Sequence, residues 1–103
     1  MNDSEILFGL QEIEGIGWTT IQRITQLNLP FAQLVQMNAA ELVRLGIDRS
    51  KAQLIDERLT TEFIQERQAL YAKQRIGIIT IEDDNYPPLL KETSQPPWVL
   101  YYK

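Results

Sequence analysis

The sequence predicts an α+β chain, helical over residues 1–74 and turning to short strands over residues 75–103. Three observations carry this. Apolar residues recur every three or four positions as far as Lys73, which is helical spacing. Two glycine turns, at Gly15-Ile16-Gly17 and at Gly46, cut the helical part into hairpins. After Arg75 the helical period gives way to two short runs rich in β-branched and aromatic residues.

In chain order, Asn2, Asp3 and Ser4 are all good N-caps, and Ile6, Leu10 and Ile13 follow at helical spacing, which predicts a first helix from about Asp3 to Glu12. Gly15 and Gly17 break it. A second helix from about Thr19 to Leu27 turns Ile21 and Ile24 inward and ends at Asn28-Leu29-Pro30, because proline disfavours helix at the residue before it. A helical turn around Phe31 to Gln36 comes next. Asn38-Ala39-Ala40-Glu41 then has the form of a capping box and opens a helix that Gly46 terminates in a left-handed conformation. Asp48 caps the following helix, where Ala52, Ile55, Leu59 and Phe63 form an apolar stripe that Leu70 extends towards Lys73, with Thr60-Thr61 as a point of interruption.

Ile76-Gly77-Ile78-Ile79-Thr80-Ile81 and Trp98-Val99-Leu100-Tyr101-Tyr102 read as strands. Between them lie the acidic turn Glu82-Asp83-Asp84-Asn85, the segment Tyr86-Pro87-Pro88-Leu89-Leu90 and the loop Thr93-Ser94-Gln95-Pro96-Pro97, whose prolines exclude a regular ladder. If Pro87 starts a short helix, Tyr86 and Leu90 sit four apart and can anchor it to the sheet. The second strand runs flush into Lys103, and a lone strand pair is marginal in water, so the chain reads as part of something longer.

A chain of 103 residues is about one small domain, able to bury somewhat more than ~60% of its unfolded surface. Its 44% hydrophobic and 23% charged residues are ordinary globular usage. With no cysteine and no histidine, disulfides and thiolate or imidazole metal sites are excluded, and most hydrolytic mechanisms are poorly served. No cofactor and no metal is expected. The acidic start Met1-Asn2-Asp3-Ser4-Glu5 lacks the form of a signal peptide and no apolar run approaches a membrane span, which predicts a cytoplasmic protein with no membrane partner. The net charge of −4 opposes non-specific nucleic-acid binding, so any DNA contact must be local or weak.

The sharpest motif is Ile13-Glu14-Gly15-Ile16-Gly17-Trp18-Thr19-Thr20-Ile21, two glycines around one apolar residue between two amphipathic helices. This is the helix-hairpin-helix pattern. Glycine permits a tight turn, Ile16 plugs the core, and the free N–H groups that start the second helix point at an anion such as a DNA phosphate. Thr19 and Thr20 add hydroxyl donors, and Trp18 is placed to stack on an unpaired base. The same two glycines also suit a plain turn between helices. Thr19 stands where DNA-binding examples carry lysine or arginine, and Ile21 replaces the usual small residue, which leaves Arg23 as the nearby cation.

Leu45-Gly46-Ile47-Asp48-Arg49-Ser50-Lys51-Ala52 has the look of a second, decayed copy with Asp48 in place of the second glycine. An aspartate there caps the helix and repels phosphate, although Arg49 and Lys51 keep a phosphate contact open. The candidate DNA-binding residues are therefore Gly15, Ile16, Gly17, Trp18, Thr19, Thr20, Arg23, Arg49 and Lys51. Glu82-Asp83-Asp84 reads as a solvated turn rather than a Mg²⁺ site, and Trp98, Tyr101 and Tyr102 as sheet-face residues before base-stacking ones. No Walker-type loop, dinucleotide fingerprint or nucleophile-base pair is present, so no catalytic residue is assigned.

Gly77-Ile78-Ile79-Thr80, then Asp84-Asn85-Tyr86-Pro87-Pro88-Leu89-Leu90, then Pro96-Pro97-Trp98-Val99-Leu100-Tyr101 together resemble the opening of the DNA-processing domain of the DprA/Smf family. With the upstream glycine hairpin, the resemblance covers essentially the whole chain. It implies a helical domain of helix-hairpin-helix (SAM-like) type over 1–74, followed by the opening strands of a truncated Rossmann-like domain over 75–103. It also implies a non-enzymatic protein that binds incoming single-stranded DNA in natural transformation and hands it to the recombinase RecA. The main DNA surface, and any homodimer contact, would lie in a downstream domain. Tyr86, Pro87, Leu90 and Pro97 are matched positions with no implied DNA contact. The competing expectation is a protein-interaction module with no DNA binding of its own, which the acidic balance suits.

Overall fold

A computed structural model describes residues 1–103, and its hub is helix α1 (Asp3–Glu12). The sequence suggested an amphipathic helix, yet Ile6, Leu7, Phe8, Gly9 and Leu10 are buried in succession. A helix buried on every face is a central one. Helices α2 (Trp18–Thr25), α3 (Phe31–Leu34) and α6 (Thr61–Lys73) pack around it, together with both strands, while α4 (Ala39–Arg44) pairs with α5 (Arg49–Arg58). Gly9 allows the closest of these approaches, since a Cβ there would lie 2.7 Å from Ile64 Cγ1 of α6.

Local chemistry sets the helix starts. Asn2 and Glu5 form a capping box on α1, in which Asn2 Oδ1 accepts from the Glu5 N–H at 2.8 Å and Glu5 Oε1 accepts from the Asn2 N–H at 3.1 Å. The bond from the Asn2 backbone holds the Glu5 carboxyl below its ordinary value. Asn38 and Glu41 repeat the box on α4, as the sequence indicates. The stripe from Ala52 to Leu70 is divided between two helices: Thr60 is extended (φ −123°) and its hydroxyl accepts from the Phe63 N–H at 3.1 Å. That restart shifts the helical phase. Ile64 is consequently the fully buried residue and Phe63 only half-buried.

Strand β1 (Gly77–Thr80) pairs antiparallel with β2 (Val99–Tyr102), in a register that sets Thr80 opposite Val99. The Rossmann-like opening implied by the resemblance would use parallel strands joined by a crossover helix. Here the link holds only the four-residue α7 (Pro88–Lys91). Nor do residues 75–103 form a core of their own, because Val99 belongs to one apolar cluster with Ile6, Phe8, Ile21 and Leu42. Tyr86 anchors the link: it is buried and its hydroxyl donates to the Pro97 carbonyl at 2.7 Å. Burial raises its phenol above the ordinary value. Asp83 of the acidic turn accepts from the Thr80 N–H at 2.8 Å and the Ser4 hydroxyl at 3.1 Å, which ties the turn to α1. No helix is long and apolar enough to cross a membrane.

Candidate nucleic-acid interface

The two glycine turns repeat one design. Gly15 (φ +97°) and Gly46 (φ +99°) both occupy the left-handed region that favours glycine. The next residue is a buried plug in each, Ile16 and Ile47. Gly17 and Asp48 then stand at the N-caps of α2 and α5. Further along, Ile21 matches Ala52 and Ile24 matches Ile55, all inside the core. The second copy that looked decayed in sequence is therefore intact in backbone.

The N-caps separate them. At α2 no side chain caps the helix and the first backbone bond runs from the Ile21 N–H to the Gly17 carbonyl at 3.2 Å, so the N–H groups of Trp18, Thr19 and Thr20 have no protein acceptor. Gly17 has an ordinary extended backbone (φ −101°), and a Cβ there would meet nothing within 4 Å. At α5 Asp48 Oδ2 accepts from the Ser50 N–H at 3.2 Å and the Lys51 N–H at 3.4 Å, and from the Ser50 hydroxyl. The Ser50 hydroxyl, followed by the Lys51 N–H, holds the Asp48 carboxyl below its ordinary value, so it stays charged at neutral pH.

A shallow cleft of about 340 Å³ lies between the hairpins, lined by Thr19, Thr20 and Arg23 on one side and Gly46, Ile47 and Asp48 on the other. The hairpins are also braced crosswise. Lys51 Nζ donates to the Gly15 carbonyl at 2.6 Å, and Arg23 Nη1 donates to the Gly46 carbonyl at 3.4 Å. Each hairpin thus sends a cation to the glycine of the other. Arg49 stands apart, on a mostly apolar groove of about 320 Å³ with Ala39, Ala40 and Val43.

Two further features escape a sequence reading. Trp18 does not offer a free ring: it stacks on Trp98 with centroids 5.3 Å apart, and its indole donates to the Pro96 carbonyl at 2.8 Å. Trp98 in turn donates to the Trp18 carbonyl at 3.1 Å. A partner ring 80 residues away in the chain thus covers one face of Trp18, which is half-buried. Likewise Tyr101 stacks on Tyr71 with centroids 5.1 Å apart. The second feature is Glu12, whose nearly buried carboxylate accepts from Arg67 Nε at 2.7 Å, the Tyr71 hydroxyl at 3.0 Å and the Tyr101 hydroxyl at 2.7 Å. Its bond to Glu12 raises the Arg67 guanidinium, while burial and then Glu12 raise the two phenols.

No family model matches the chain, and no curated protein or solved structure matches it.

The candidate interface consists of three backbone donors and two hydroxyls at α2, with Lys51 and Arg23 as the cations beside the glycine turns. It offers donors suited to an oxyanion.

Proposed function

We propose that this chain is the N-terminal part of a DNA-processing protein of the DprA/Smf type, in which a helix-hairpin-helix-like (SAM-like) unit carries a short antiparallel strand pair. Its role is to contribute a weak phosphate-backbone contact to single-stranded DNA that a downstream domain binds and passes to RecA in the cytoplasm. It works by binding, without catalysis.

The observation that carries this reading is the uncapped start of α2 behind Gly17. Neither backbone conformation nor packing requires a glycine at that position. What its missing side chain provides is access to three free N–H groups and the positive end of a helix dipole. The second hairpin adds what the first lacks. Thr19 is uncharged, and Lys51 brings its ammonium to the Gly15 carbonyl of the same turn. The net charge of −4 and the ionised Asp48 across the cleft keep the contact weak.

Fluorescence-anisotropy titration against single-stranded and duplex oligonucleotides at low and moderate salt tests the proposal. The expected result is modest binding to single strands whose salt slope falls by about 0.7 in Lys51→Gln, the change for one lost phosphate contact on a single strand. Absence of binding even at low salt would contradict it. That outcome would favour the second reading, a protein-interaction module, which the acid net charge and the internal engagement of Arg23 and Lys51 support.

A further inference from the structure

The first glycine turn is gripped on both sides by one distant segment, residues 96–101. Ahead of the turn, the Tyr101 hydroxyl of β2 donates to Glu12 at the end of α1. Behind it, Trp18 at the start of α2 donates to the Pro96 carbonyl and stacks on Trp98, which donates back to the Trp18 carbonyl. We infer that the 96–101 segment is a conformational latch on this turn, so that docking of β2 and the closed shape of Gly15–Gly17 form one coupled two-state unit.

The physical case rests on what each end would lose. If the segment lifts away, Glu12 keeps Arg67 and Tyr71 but loses its third donor, and both indole N–H groups lose their acceptors. The turn between them contains Gly15 in the left-handed region and is closed locally by the Ile16 N–H bond to the Ile13 carbonyl at 3.1 Å. The second turn has no such latch. An added Cβ at Gly46 would meet only the end of the Arg23 side chain, at 3.4 Å, and the Gly46 N–H bonds locally to the Val43 carbonyl. Because coupling is reciprocal, whatever pairs with or displaces β2 alters the first turn, and whatever stabilises the turn favours docking of β2. The latch stands independently of any DNA contact.

Amide hydrogen exchange on the full chain tests it, with each turn as the other's control. The Ile16 N–H bonds to the Ile13 carbonyl and the Ile21 N–H to the Gly17 carbonyl, while Ile47 bonds to Leu42 and Ala52 to Asp48 in the second hairpin. In Trp98→Phe, and more gently in Tyr101→Phe, exchange at Ile16 and Ile21 is expected to quicken at least about fivefold more than at Ile47 and Ala52. Equal acceleration at all four amides, or none at any, would overturn the inference. Should Trp98→Phe unfold, Tyr101→Phe removes one hydroxyl and decides the matter alone.

Discussion

At the first glycine turn α2 begins with three N–H groups that have no protein acceptor, whereas at the second turn Asp48 occupies two of the three equivalent donors of α5, those of Ser50 and Lys51. Backbone, plug and inward-facing residues are otherwise alike. The difference teaches that folding and binding are written in different residues of one motif. Gly15 and Gly46 supply the turn, Ile16 and Ile47 supply the core contact, and the N-cap alone decides whether the helix end is available to an anion.

The largest expected effect separates the residues that build the turn from the one that opens it. Gly15→Val forces a branched side chain into the left-handed region, at about 1–2 kcal/mol. It also meets Leu54 Cδ1, which an added Cβ would approach to 2.9 Å. Together with overpacking, the loss of stability in urea denaturation is expected to reach about 2–4 kcal/mol. Gly46→Val should lose less, since only the flexible Arg23 end lies nearby. Gly17→Ala should cost under about 1 kcal/mol.

Next in size is the exchange of N-cap identities. Gly17→Asp gives the first turn the cap of the second, and single-stranded DNA affinity is expected to fall about tenfold at low salt while stability holds or rises by up to about 1 kcal/mol. Loss of affinity with loss of fold would not distinguish the turns; loss of affinity in a protein of unchanged melting temperature does. The converse change, Asp48→Gly, is expected to lower stability by only a few tenths of a kcal/mol and to raise affinity about threefold.

Much of this architecture was legible because it is local. The caps at Asn38 and Asp48, the left-handed Gly46, and the switch to strands after Arg75 all depend on residues within a turn or two of each other. The divided helix at Thr60 was half legible, since threonine caps a helix as readily as it interrupts one. What local patterning does not carry is the pairing of residues far apart in the chain. Trp18 with Trp98, Glu12 with Tyr101, and Lys51 with Gly15 each depend on how the hairpins and strands dock. The same holds for the burial of α1 on all sides, which no single-helix pattern reveals.

A smaller effect bears on the latch that only the first turn has. Tyr101 titrates above its ordinary value of 10.0 in the folded chain, through burial and the Glu12 carboxylate. Its stabilisation is fully present below pH 10 and is lost as the pH rises through that value towards the higher folded one. The stability gap between the native protein and Tyr101→Phe, followed by urea denaturation, is therefore expected to narrow above pH 10. A gap that widens there would contradict the assignment.

The contrast between the turns is tested most directly by titrating isotope-labelled protein with an oligothymidylate at low salt and following backbone amide resonances. The account predicts progressive, salt-reversible shifts at Trp18, Thr19 and Thr20 that exceed those at Ser50 and Lys51, whose N–H groups Asp48 already holds. Equal shifts at both turns, or shifts at Ser50 and Lys51 with none at Trp18 to Thr20, would contradict it.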